Sequence, residues 1–118
     1  MRGRLTMTSF LLLAVGTAAA QAHAMLDHAS PLVGSTVATA PHEVSLSFSQ
    51  GIEQASSGVE VSSDAGARVD QGKPQIGGST MRVALKPLSP GTYRVHWYAV
   101  SADSHKSEGN FVFHVGKP

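Results

Sequence analysis

The chain contains no cysteine. That excludes a disulfide scaffold, a thiolate zinc site, an iron–sulfur cluster and a cysteine nucleophile. Charge is scarce, with Asp, Glu, Lys and Arg making up 14% of 118 residues. No basic run occurs, so there is no electrostatic footprint for nucleic acid. The length fits one domain and leaves no room for a two-domain enzyme with a large cleft. Helix signals are poor, because glycine and proline recur throughout. What the chain has in excess is histidine, with six residues.

Residues 1–22 read as a secretory signal peptide. Arg2 and Arg4 form the basic start, and Phe10 to Val15 the apolar centre. Ala20-Gln21-Ala22 is an A-x-A cleavage site. The run from Met7 to Ala22 carries threonine, serine and glycine and falls short of the ~20 apolar residues of a spanning helix. Cleavage and export are therefore expected, not a retained anchor or membrane insertion. Ala22-His23-Ala24 fits the same pattern, so the new N-terminus is either His23 or Met25. The first cut leaves residues 23–118 as one domain, in which seven basic side chains face eight acidic ones. The basic excess belongs to the leader.

Downstream, apolar residues alternate with polar ones. Val44, Leu46 and Phe48 do so, then Val59 and Val61, then Met81, Val83 and Leu85. Tyr93, Val95, Trp97 and Ala99 follow, and finally Phe111, Phe113 and Val115. Such period-2 runs are half-buried strands. Turn signals separate them, among them Pro31 to Gly34, Gly72 to Gly78 and Ser89-Pro90-Gly91. This spacing predicts an all-β fold, an immunoglobulin-like antiparallel β-sandwich of about seven strands with Greek-key connections. The Trp97 strand is expected to be central. Residues 62–79 are expected to form a loose loop or a weak edge strand.

The same alternation sorts the histidines. His96 and His114 lie opposite core residues and are expected to face solvent. His42 sits at a loop-to-strand junction, and His28 lies in the first extended segment; both read as surface residues. His105 differs, because Asp103 precedes it by two positions in the loop between the two strongest strands. In extended backbone such a pair points one way, so a carboxylate and an imidazole can converge on one ion. His23, if freed by cleavage, adds an α-amine beside its own ring nitrogen, the arrangement called a histidine brace. Three nitrogens and one oxygen in tetragonal geometry favour Cu(II), whereas zinc prefers a tetrahedral set.

These residues resemble the periplasmic copper-resistance CopC family. The likeness runs over residues 23–116. It is carried by His23-Ala24-Met25-Leu26 with Ser30-Pro31, by Leu46-Ser47-Phe48-Ser49, and by Pro90-Gly91-Thr92-Tyr93-Arg94-Val95-His96-Trp97. Ser101-Ala102-Asp103-Ser104-His105 and Gly109-Asn110-Phe111-Val112-Phe113 complete it. The resemblance implies a periplasmic β-sandwich that holds one Cu(II) per chain on His23, Asp103 and His105, and cleavage before His23. It also implies as partners an inner-membrane CopD-type protein and other periplasmic copper proteins. Two departures stand out. Some members have a methionine-rich Cu(I) segment, whereas beyond the leader this chain has only Met25 and Met81; no Cu(I) methionine site is predicted. Many members also have a glutamate where this chain has Gln50, and Glu53 is a candidate substitute.

The expected role is a monomeric copper-binding protein of copper resistance or homeostasis, not an enzyme. One rival is a brace-type copper monooxygenase. It is disfavoured by small size and by Asp103 filling a position that oxygen chemistry needs open. A second rival is a metal-free immunoglobulin-like interaction module. Nothing resembles a nucleophile elbow or an ordered hydrolytic triad. The axial ligand is left open between water and His28.

Overall fold

The computed structural model describes residues 23–116; the segment expected to be a leader, residues 1–22, lies outside the described residues. Eight strands form in chain order: β1 (Leu26–Ser30), β2 (Thr36–Val37), β3 (Glu43–Phe48), β4 (Gly58–Ser63), β5 (Asp70–Gly77), β6 (Thr80–Leu85), β7 (Gly91–Val100) and β8 (Lys106–Val115). They build two four-stranded sheets, β1-β3-β6-β5 and β2-β8-β7-β4. The alternating residues drive this layering. Every second side chain of β3, β6, β7 and β8 turns inward, and Val44, Leu46, Met81, Val83, Val95 and Phe113 are essentially inaccessible. Burying such residues supplies the main driving force for folding.

The all-β sandwich expected from periodicity is the fold observed. β7 is an interior strand, as its apolar pattern predicts, and 62–79 includes the edge strand β5, bulged between Gln71 and Gln75. One element escapes the pattern. The two-residue β2 pairs with β8 in parallel, whereas every other pairing is antiparallel. It forms because the turn at Pro31–Gly34 is fastened to β8, with the Gly34 amide donating to the Val112 carbonyl at 2.7 Å.

Two features make the end of the sandwich near β7 and β8 rigid. Trp97 on β7 meets Phe48 of the opposite sheet edge-on, with ring centroids 5.1 Å apart. Its indole lies across Gly109 on β8, where an added Cβ would stand 2.7 Å from the ring. Glycine is required there to let the indole approach. At the other edge, Asp70 takes two bonds from Arg68 at 2.7 Å and one from the Val61 amide at 2.9 Å. The Arg68 guanidinium holds the Asp70 carboxyl below the usual range, so this clasp between the sheets stays ionised at neutral pH. Among the described residues no helix is long and apolar enough to cross a membrane.

Candidate metal centre

The chain enters the sandwich through three residues that other segments hold in place. Gln50, two residues past β3, donates from its carboxamide to the His23 carbonyl at 3.0 Å. Ser107 on β8 donates to the Ala24 carbonyl at 2.6 Å. Ser49 binds Met25 twice: its hydroxyl accepts from the Met25 amide at 2.9 Å, and its amide donates to the Met25 carbonyl at 2.8 Å. Ala24 is wholly buried, so His23 and Met25, on either side of it, are left exposed.

The second component is the turn from β7 to β8. Ser101 is wholly buried. Its amide donates to the His105 carbonyl at 2.9 Å, and the Ser104 amide donates to the Ser101 carbonyl at 2.8 Å. The Ser101 hydroxyl donates to Asp103 Oδ1 at 2.5 Å. Asp103 Oδ1 in turn lies 3.3 Å from His105 Nδ1. The Ser101 hydroxyl first, and then His105, hold the Asp103 carboxyl below the usual range. The carboxylate is thus fixed and charged before any ion arrives.

The pairing of Asp103 with His105 is as expected, but its geometry is not. The sequence suggests an extended loop running to Gly109. The structure has a tight turn, with Ser104 at φ 71° and β8 starting at Lys106. A left-handed residue costs about 1–2 kcal/mol when it is not glycine, and glycine returns about 0.5–1 kcal/mol of that as chain entropy. Ser104→Gly is therefore expected to stabilise the domain by about 0.5–1 kcal/mol. Differential scanning calorimetry should read a rise of roughly 2–6 °C in Tm.

The two components meet. The rings of His23 and His105 are 5.3 Å apart, edge to face, so His23, His105 and Asp103 lie in sequence at one end of the sandwich. The Asp103 and His105 side chains are about half exposed, 55% and 49%. Among the described residues no three His, Cys, Asp or Glu side chains are gathered closely enough to hold a metal by themselves.

The remaining histidines are elsewhere. His28 is exposed on β1 and lines a separate hollow with Leu32 and Val33. His96 and His114 are on outer strand faces, as predicted, but half-buried: His96 Nε2 lies 3.4 Å from Glu108, and His114 Nδ1 lies 2.9 Å from Thr92 Oγ1. His42 is exposed just before β3, as expected. Glu53 lines a groove with Lys73 and Ile76, and none of the three candidate ligands lines that groove. Ser107 carries no sequence signal, and Ser49 and Ser101 stand in the motifs of the resemblance with no role assigned to them.

The CopC domain model matches residues 26–116. Copper resistance protein C of Xanthomonas campestris pv. juglandis is 34% identical over 110 residues, covering 86% of each chain. The copper transport protein CutJ of Bacillus subtilis (strain 168) is 36% identical over 100 residues, which are 81% of this chain but 18% of CutJ. The crystal structure of PcoC, a methionine-rich copper resistance protein from Escherichia coli, matches with a TM-score of 0.71 at 33% identity, covering 80% of this chain and 99% of that one. A domain match spanning nearly all described residues, and relatives a third identical over most of this chain, place the protein in the CopC family of copper resistance proteins.

Proposed function

We propose that the exported domain, residues 23–118, captures one Cu(II) in the periplasm and hands it to another copper protein, without catalysing a reaction. The observation that carries this reading is the meeting of the His23 ring with the Asp103–His105 pair at one open end of the fold. Once the leader is cut after Ala22, the His23 amine and ring nitrogen chelate the ion together. Asp103 offsets its charge, and His105 completes the equatorial set. The α-amine supplies the donor that the side chains alone do not. Nitrogen and oxygen donors in such a set suit Cu(II).

Two observations support the cut before His23. Ala24 is wholly buried, and its carbonyl accepts from Ser107. A chain starting at Met25 would lose that methyl from the core and leave both Ser107 and Gln50 without these acceptors. Met81 is wholly buried in the core, which supports the absence of a thioether site for Cu(I). The half-exposed ligands suit an ion that must enter and leave. That a similar domain forms a small part of the longer CutJ supports a transport protein, of CopD type, as recipient. Asp103 in an equatorial position argues against oxygen chemistry.

Copper titration of the 23–118 protein tests the reading. One Cu(II) is expected per monomer, with the affinity lowered more than about 100-fold in His105→Ala, since loss of even an outer-shell partner costs 10–100-fold. Unchanged affinity in that variant would overturn the assignment.

A further inference from the structure

We infer that Gln50 is a positioning residue for copper, acting through the His23 carbonyl; this rests on the reading just given. The side chain that reaches His23 is a carboxamide, and it touches the residue by donating a hydrogen. A carboxylate at the same place has no hydrogen to give, so the contact depends on glutamine being uncharged. The family resemblance marks Gln50 only as a departure from a glutamate found in many members. The structure gives it a different task, fixing the first peptide of the domain.

The geometric consequence is direct. The Cα of His23 lies in the plane of the peptide that joins it to Ala24. Ala24 is locked by burial and by Ser107. Gln50 pins the oxygen of that same peptide. With the plane fixed, so is the Cα from which both the α-amine and the imidazole project. Only rotations about the Cα–C bond and within the side chain remain. Gln50 itself adjoins Ser49, which binds Met25 at the end of β3. Two consecutive residues thus hold positions 23 and 25 against a rigid strand. The pivot from which both halves of the chelate swing is placed before the ion arrives, so less of the ordering of the chain terminus is charged against binding.

The ordering of one backbone residue corresponds to about tenfold in affinity. The test uses the 23–118 protein with Gln50→Leu, which keeps bulk and removes the donor, beside His23→Ala. Gln50→Leu is expected to bind Cu(II) about tenfold more weakly, to release it faster to a chelator, and to show a shifted, broadened electron paramagnetic resonance spectrum. Its metal-free unfolding midpoint is expected to match the parent. If His23→Ala loses copper but Gln50→Leu keeps the parent affinity and spectrum, this inference fails and the copper site stands. If His23→Ala binds like the parent, the copper reading fails and takes this inference with it. Weaker binding with an unchanged spectrum and a lowered midpoint would mark fold damage and overturn the positioning role.

Discussion

Acetylation of the His23 α-amine in the exported domain is expected to lower Cu(II) affinity by more than about 100-fold, beyond the range for losing an outer-shell partner. The addition removes no side chain. It turns the α-amine into an amide, which, with no free amine beside it to anchor the ion, holds its proton at neutral pH and offers no lone pair. The His23 ring then binds alone, and the chelate is lost. The fold should not change, because Ala24 remains buried and the bonds from Gln50, Ser107 and Ser49 to the chain are untouched. The uncut precursor should behave like the acetylated protein, so copper capture begins only after export. His28→Ala serves as the control. His28 lines another hollow, and its removal should leave the affinity unchanged. Isothermal titration of the three proteins against a competing chelator decides the matter. Parent-like binding by the acetylated protein would remove the His23 amine from its role.

The fold was legible wherever a strand has one buried face. In β3, β6, β7 and β8 the alternation of Val, Leu, Phe, Tyr and Trp with polar residues marks the inward positions, and these are the buried ones. Period-2 burial is a local property, so a linear reading recovers it. β2 was not legible. Thr36 and Val37 are too few to show a period, and they pair with a strand more than seventy positions away in sequence. The pairing depends on the fastened turn before them, not on their own propensity.

The candidate site divides the same way. Asp103 and His105 are two residues apart, and their donor chemistry can be read directly. His23 is found through the cleavage pattern. The residues that seat them are not visible, because they act across the chain. Ser49 lies 24 positions from its partner Met25, Gln50 lies 27 from His23, and Ser107 lies 83 from Ala24. Ser101 is near Asp103 in sequence. Its value comes from complete burial, which only the packed sandwich provides. The extended-backbone argument expected Asp103 and His105 to converge; they do lie side by side, but through a different backbone geometry. A left-handed Ser104 folds the loop back, and the Ser101 hydroxyl supplies the orientation that strand alternation was expected to give.

Acid should strip the site in a way that separates its nitrogen donors from its oxygen donor. Free imidazoles titrate near 6.5 and α-amines near 7.7–8.0, and each must lose its proton to bind a metal. Three such donors compete with protons together. Between pH 7 and pH 5 the Cu(II) affinity is expected to fall by roughly 10⁴-fold or more. Asp103 should contribute nothing to that fall. The Ser101 hydroxyl and then His105 lower its pKa below the usual carboxylate range. A depressed carboxyl is ionised throughout this window and gains a proton only further into acid. Asp103→Asn should therefore weaken binding by a similar factor at every pH from 5 to 7 and leave the slope unchanged. His105→Ala should weaken binding and also reduce the slope, by up to one proton per copper at the acid end. Competition titrations at half-unit pH steps distinguish the two variants. A slope altered by Asp103→Asn and untouched by His105→Ala would reverse the roles assigned to the carboxylate and the imidazole.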